Sequence, residues 1–176
     1  MKRILYPAFL YAFMACQSAP ESSASKDQVA MQQTITDLEN DLKKKGDVLD
    51  RELAKDLVSR YIKYHNQYHA DTLSGEYMLR AASLSTGIGE YQQAIDLLIN
   101  FYDGYPNSKR RPEAAYTVAF IYDAYLQNPD KAALYYQAVI DNHPDSRYAQ
   151  EAEASLRLVG KSNEQILEFL KQNNPQ

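Results

Sequence analysis

The stretch GYPNS at Gly104–Ser108 returns 38 residues later as NHPDS at Asn142–Ser146. The residues around the two stretches agree at the same offset, with apolar positions on apolar ones and small positions on small ones: Ala94 falls on Ala132, Leu98 on Tyr136, Phe101 on Val139 and Ala114 on Ala152. An internal period of about 34 to 45 residues is typical of a solenoid, in which each unit buries its apolar face only against its neighbours. The sequence therefore predicts a repeat architecture.

The residues between the two stretches predict helices joined in pairs. A proline disfavours helical conformation in the residue before it, and the serine that follows can cap the next helix. Each Pro-x-Ser stretch therefore ends one helix and begins another. The helix pairs predicted in this way are Tyr77–Thr86 with Glu90–Tyr105, and Pro112–Gln127 with Pro129–Asn142. No segment alternates with a period of two over the length of a strand, so the predicted fold is all-α.

A short apolar stripe precedes the repeats. Spacings of four, three and four residues predict an amphipathic helix over about Lys26–Lys45, with its apolar side formed by Met31, Ile35, Leu38 and Leu42. The stripe covers fewer heptads than a coiled coil needs, so we expect this helix to dock on its own chain or to fray. The alternative is a structural homo-oligomer in which residues 31–42 form a helical bundle.

Capping residues indicate the remaining helices. Asp47 can cap a helix that continues to Tyr68, and Asp145 or Ser146 can begin another after the second unit. Ser162–Gln165 (SNEQ) is a capping box for a last helix, whose apolar face is formed by Ile166, Leu167, Phe169 and Leu170. About three repeats with capping helices are expected.

The N-terminus has the pattern of an export signal. A basic start (MKR) precedes a twelve-residue apolar run, Ile4–Ala15, which is too short to span a membrane but suits a signal peptide. The only cysteine of the sequence, Cys16, follows directly, and this order resembles a bacterial lipoprotein signal. The resemblance implies cleavage before Cys16, lipidation of Cys16 and, because Gln17 follows, transfer to the outer membrane. The alternative is a plain secretory leader cleaved after Ala15 or Ala19.

These features divide the chain into three parts. A signal peptide is expected over residues 1–15, a tether with the N-terminal helix over 16–47, and a repeat domain over 48–176. The 176 residues are 45% hydrophobic and 24% charged, which is an ordinary globular balance. The net charge of −4 argues against nucleic acid as a partner.

The two helix pairs resemble the tetratricopeptide repeat (TPR) family, in which small residues let two helices pack closely. The positions that carry the resemblance are Met78, Ala81, Ala82, Ser85, Ala94, Leu98, Phe101 and Pro106 in one unit, and Ala115, Val118, Ala119, Tyr122, Ala132, Tyr136, Val139 and Pro144 in the next. The resemblance covers about residues 54–160, and the longer links between units are similar to those of periplasmic TPR lipoproteins of the BamD-like and YbgF (CpoB)-like kinds. It implies a non-catalytic scaffold that binds protein.

In stacked repeats of this kind, first-helix positions between the packing residues point into a concave groove. The corresponding positions here are Leu79, Ser83 and Thr86 in one unit, and Tyr116, Phe120 and Asp123 in the next. Rigid rings beside a carboxylate suit the capture of an extended or helical peptide, because they give contact area at a small cost in conformational entropy. The alternative is that the N-terminal helix covers Tyr116 and Phe120.

No catalytic set can be assembled from the sequence. His65 and His69 lie four residues apart and share a helix face, but two ligands do not make a metal site, and His143 lies far along the chain. Gly160–Ser162 (GKS) lacks the upstream glycine of a phosphate-binding loop, because that position is Ser155. We therefore predict no enzyme activity, no cofactor and no metal. A metal-binding protein built on His65 and His69 is the least favoured alternative.

Lys109–Arg111 (KRR) is a dense basic cluster between the two units. A solvated loop between repeats accounts for it, and an acidic partner or lipid headgroups are the alternative.

Taken together, these patterns predict a scaffold anchored by lipid to the outer membrane, facing the periplasm, whose groove binds a protein or peptide. The resemblance implies a role in barrel assembly or in Tol-Pal-type envelope functions, and the oligomeric state is left open.

Overall fold

The computed structural model describes residues 24–46 and 49–173. Within these ranges the chain is helical and contains no strand, which confirms the predicted all-α fold. The helices are α1 (Lys26–Lys44), α2 (Arg51–Gln67), α3 (Thr72–Gly87), α4 (Tyr91–Gly104), α5 (Arg111–Phe120), α6 (Pro129–Asn142), α7 (Arg147–Leu156) and α8 (Asn163–Asn173). The predicted signal peptide, Cys16 and the cap at Asp47 lie outside the described residues.

The helices pack in chain order as a row. α3 pairs with α4 and α5 with α6, as predicted for two repeat units, and each pair continues into its neighbours through contacts of α2 with α3, α4 with α5, and α6 with α7. α5 also contacts α7, so the first helices of successive units lie side by side. This arrangement is a helical solenoid, because each unit completes its core with the helices before and after it.

Small residues at the helix contacts and large rings between them form one continuous core. The fully buried alanines are Ala54, Ala81, Ala94, Ala114, Ala119, Ala132 and Ala152, and they let neighbouring helices approach closely. Gly75 allows a still closer approach, because a Cβ atom there would lie only 3.1 Å from the ring of Tyr105. Tyr64 and Tyr136 are the largest fully buried side chains, so much of the unusual tyrosine content is core.

Three helix starts differ from the predictions. The cap predicted at the first Pro-x-Ser stretch does not form, because Ser108 Oγ accepts from the N–H of Arg110 at 3.2 Å and α5 begins after Arg110 without a side-chain cap.

α3 begins at Thr72, five residues before the predicted Tyr77, because Asp71 caps it by accepting from the backbone N–H of Leu73 at 2.8 Å. Asp50 caps α2, accepting from the N–H of Leu53 at 3.1 Å. The segment between α2 and α3 is therefore a short turn over residues 68–71.

The end of the first helix in the second unit also differs. A single α-helix was predicted over Pro112–Gln127, but the α-helical part ends at Phe120 and a π-helical turn, Ile121–Tyr125, follows. The N–H of Leu126 donates to the carbonyl of Ile121 at 3.0 Å, which is the five-residue spacing of a π-turn. Gln127 then takes a left-handed conformation with φ of 48°. This wide turn changes which side chains face outward before α6.

α1 docks on its own chain. Ile35 is fully buried, and the rest of the predicted stripe packs against the same core: Met31, Leu38 and Leu42. Polar contacts reinforce the docking, because Gln28 and Gln32 both donate to the hydroxyl of Tyr64, at 3.0 and 2.6 Å. A bundle of several copies through this stripe would have to release it from its present contacts.

The capping box of α8 forms as predicted. The N–H of Gln165 donates to Ser162 Oγ, and the N–H of Ser162 donates to Gln165 Oε1 at 2.8 Å. Leu167 and Leu170 on this helix remain exposed. None of the helices in the described ranges has the length and apolar character that crossing a membrane requires.

Candidate functional site

Two of the three predicted groove positions on α3 have side chains that are engaged within the chain. Leu79 is only 8% exposed and belongs to the core, and the hydroxyl of Thr86 donates to the carbonyl of Ala82 at 2.9 Å. Ser83 is exposed. Among the three predicted positions on this helix, then, Ser83 is the exposed one.

The predicted groove positions on α5 are covered to different extents. Tyr116 is half-buried, with its ring 5.5 Å from that of Tyr136 on α6 and 5.6 Å from that of Tyr148 on α7. Its cover therefore comes from α6 and α7, whereas the contacts of α1 described above are with α2. Phe120 is 41% exposed. Asp123, in the π-turn, accepts from the hydroxyl of Tyr136 at 3.4 Å.

The structure extends the exposed aromatic surface beyond the predicted positions. The π-turn brings Tyr125, 44% exposed, edge-on to Phe120 with ring centroids 5.8 Å apart. Tyr91 from the first unit stacks on Tyr125 at 4.8 Å, and Leu126 beside it is exposed. We call Tyr91, Phe120, Tyr125 and Leu126 the aromatic patch. Sequence reasoning missed Tyr125 and Leu126 because a regular helix would have continued through both positions. It missed Tyr91 because the ring on which Tyr91 stacks lies on the next unit.

A charge ladder crosses the first helices of the units. Arg80 on α3 contacts Glu39 on α1 at 2.6 Å and Glu76 on its own helix at 3.1 Å. Arg110 then contacts both Glu76 and Glu113, the second at 2.8 Å, so acid and base alternate from α1 to α5. The Arg110 guanidinium holds the pKa of the Glu113 carboxyl below its usual range. Such a network fixes the register of neighbouring units more firmly than isolated surface pairs would.

The basic cluster at Lys109–Arg111 is therefore largely engaged within the chain. Besides the contacts of Arg110, the guanidinium of Arg111 lies 3.9 Å from the ring centroid of Tyr102 and donates to the carbonyl of Tyr102 at 3.0 Å. Lys109 remains exposed. The expectation of a freely solvated basic loop was wrong for two of its three residues, because their partners lie on neighbouring helices.

Two junctions along the row of helices, that of α2 with the first unit and that of the first unit with the second, each contain a hydrogen-bonded pair of one tyrosine and one histidine. At the first junction, His65 Nδ1 lies 2.8 Å from Ser74 Oγ and 3.2 Å from the Tyr105 hydroxyl. At the second junction, the Tyr102 hydroxyl lies 3.0 Å from His143 Nε2. The two residue types have exchanged places between the junctions. We call these contacts the junction pairs.

His65 and His69 do not form a metal site in this structure. α2 ends at Gln67, so His69 lies beyond the helix and is exposed, whereas His65 is turned toward Ser74. Across the part of the chain that the structure describes, no three His, Cys, Asp or Glu side chains are grouped so that they could hold a metal ion.

We expect the junction pairs to make the fold sensitive to mild acid. Burial, with the nearby His69 as a second cause, lowers the pKa of His65, and burial with the nearby Arg111 lowers the pKa of His143. Both imidazoles therefore favour the neutral form in the folded state, and stability falls as the pH drops below about 6.5, the pKa of an unfolded histidine. Thermal melts between pH 7.5 and 5.5 measure this loss. The double variant His65→Gln, His143→Gln should show a flatter pH dependence, and an unchanged slope would contradict the assignment.

One stretch of the chain matches a known family. Residues 113–146 match the model described as "Tetratricopeptide repeat". Comparison with curated proteins and with solved structures gave no significant match. The matched stretch begins within α5 and ends at Ser146, the cap of α7, so it contains the second helix pair and its proline-serine link. The match and the row of helix pairs support a tetratricopeptide-repeat protein. Proteins of this family are typically non-catalytic and mediate contacts between proteins.

Proposed function

We propose that this protein is a non-catalytic scaffold of the cell envelope, which binds a protein partner on the surface formed by Ser83 and the aromatic patch. The observation that carries the proposal is the exposed pair Phe120 and Tyr125 at the edge of a repeat that matches the tetratricopeptide family. Exposed aromatic groups held on a rigid frame are typical anchors of protein interfaces.

The repeats supply rigidity and the π-turn supplies the contact groups. Ser83 on α3 and Phe120 on α5 hold corresponding positions of successive units, so a peptide that runs across the first helices would meet both. Tyr91 braces the ring of Tyr125 from the first unit. The charge ladder lies on the same helices, and because its acids and bases already pair with each other, it positions the surface without adding a strong net charge to it.

The variant Phe120→Ala, Tyr125→Ala tests this surface. We expect recovery of crosslinked partners from cell envelopes to fall by about tenfold or more, as for the loss of interface anchors. The melting temperature should change little, because both rings are more than two-fifths exposed. Tyr116 is left intact, since its removal would also disturb the packing of α7.

Leu167→Ala, Leu170→Ala provides the matched control, because these residues are at least as exposed but lie on α8. Unchanged recovery with the aromatic variant, or an equal loss with the control, would rule out the aromatic patch as the binding surface.

We further propose that the scaffold faces the periplasm and is held at the outer membrane by lipid on Cys16. The support comes from the sequence: a basic start, a twelve-residue apolar run and a cysteine directly after it. Barrel assembly and Tol-Pal-type functions are the envelope roles that suit such an anchored scaffold. A tether at the membrane would raise the local concentration of the scaffold near membrane-bound partners.

Cys16→Ala tests the anchor. We expect the variant to lose labelling by radioactive palmitate. A variant that keeps its label would refute lipidation at Cys16. The result of this experiment does not bear on the aromatic patch, which the variant Phe120→Ala, Tyr125→Ala tests.

A further inference from the structure

A cleft opens on the side of the solenoid formed by the second helices of the units. It lies between α4 and α6, with α5 as its floor, and has a volume of about 210 Å³. Its walls are mainly apolar and include Ile99, Tyr135 and Ala138. One cause of the opening is Ala115 on the floor, since the corresponding position of the first unit is the larger Met78.

An exposed leucine lies one helical turn before a residue that lines this cleft. Leu134 is 67% exposed, the highest exposure among the large apolar side chains of the described residues. It precedes Ala138 by four residues, so the two lie on the same face of α6, about 6 Å apart along the helix axis. One face of α6 thus carries the protruding side chain of Leu134 and, one turn later, the small residue Ala138 at the edge of the cleft.

Two charged residues extend this face symmetrically. Lys131 lies three residues before Leu134, and Asp141 lies three residues after Ala138. All four positions fall within an arc of about 80° on a regular helix. Lys131 and Asp141 are exposed, and neither has an ion-pair partner among the described residues. Lys131 Nζ lies 4.9 Å from the ring centroid of Tyr122, and Asp141 accepts from Gln137 at 2.9 Å.

We propose that α6 is a self-association face, on which a second copy of this chain docks its own α6 in the antiparallel direction. The pairs 134 with 138 and 131 with 141 share the midpoint 136, so a two-fold axis beside that position satisfies both at once. Leu134 of each copy then packs on Ala138 and the cleft of the other, and Lys131 of each copy faces Asp141 of the other. A two-fold contact requires this kind of self-complementary surface.

The charge pattern selects a second copy over an unrelated partner. In the antiparallel arrangement, both ends of the face bring opposite charges together, whereas a parallel arrangement would bring each charge against its like. A contact through a single helix face is smaller than a standard protein interface of about 1,600 Å², so we expect a weak dimer. This face lies on α6 and does not use the aromatic patch. Self-association through α6 and partner binding at the aromatic patch can therefore be tested independently.

Sedimentation equilibrium of the full chain carrying Cys16→Ser tests the proposal. We expect a monomer–dimer equilibrium at concentrations of about 10 to 300 μM, the range in which weak contacts of this size are populated. Leu134→Glu should weaken dimerisation about tenfold or more, because it places a charge in the apolar contact. Leu167→Glu, which alters a similarly exposed leucine on α8, should leave the equilibrium unchanged.

A charge exchange gives the decisive readout. Lys131→Glu should weaken the dimer severalfold, since it places like charges opposite each other, and Lys131→Glu with Asp141→Lys should restore it to within about twofold. Circular dichroism melts check that each variant is folded. A chain that is monomeric throughout the concentration range, a dimer unaffected by Leu134→Glu, or a charge exchange that fails to restore association would each overturn the proposal.

Discussion

Tyr136→Ala should lower the free energy of unfolding by about 3 to 5 kcal/mol, the range found when a large buried ring is truncated to a methyl group. Tyr136 is fully buried in the second unit. Its ring lies 5.5 Å from that of Tyr116, and its hydroxyl donates to Asp123 in the π-turn. The truncation therefore leaves a cavity where α5 and α6 meet. Urea denaturation followed by circular dichroism measures the change.

Two further variants separate packing from hydrogen bonding. Tyr136→Phe keeps the ring and should cost only about 1 kcal/mol, the usual net contribution of one hydrogen bond. Leu134→Ala, at an exposed position of the same helix, should change the stability by less than about 0.5 kcal/mol. A Tyr136→Ala variant as stable as Leu134→Ala would show that the second unit does not pack as described.

Ile35→Ala should release α1 from the repeats at a cost of about 2 to 5 kcal/mol, the range for truncating a buried isoleucine. Ile35 is the fully buried residue of this helix, and the polar contacts of Gln28 and Gln32 with Tyr64 depend on the same docking. Hydrogen exchange measured by mass spectrometry should show faster exchange in α1, with little change in α5 and α6.

Val29→Ala provides the control, because Val29 lies on the same helix and is exposed. It should leave the exchange of α1 unchanged. If Ile35→Ala accelerated exchange equally in all helices, α1 would be an integral part of one cooperative unit instead of a docked helix. If it accelerated none, the docking would not depend on Ile35.

The sequence predicted the parts of the fold that depend on local signals. α6 was predicted from Pro129 to Asn142 and has those bounds, because Asn128 supplies the cap, accepting from the N–H of Lys131 at 3.0 Å. The capping box of α8 formed for the same reason. The repeat offset matched Ala94 with Ala132 and Ala114 with Ala152, and all four are fully buried, since stacking requires small residues at the same place in each unit.

Features that depend on distant residues were not predicted. Arg110 was assigned to solvent because its partner Glu76 lies on the preceding unit, 34 residues away. The π-turn after Phe120 was missed because a helical period does not report where one turn widens. Among the predicted groove positions, the burial of Leu79 follows from packing with neighbouring helices. Whether Ser83, Phe120 and Asp123 bind a partner stays a prediction.

The exchange of residue types between the junction pairs restricts how this array can lengthen. His65 meets Tyr105 at one junction, while Tyr102 meets His143 at the next. A tandem duplication of the first unit would bring Tyr102 of one copy against Tyr105 of the following copy, and the imidazole that Tyr102 now contacts would be replaced by a second phenol. Each unit is therefore matched to its neighbours, and growth by gene duplication would replace the tyrosine–histidine contact at the new boundary.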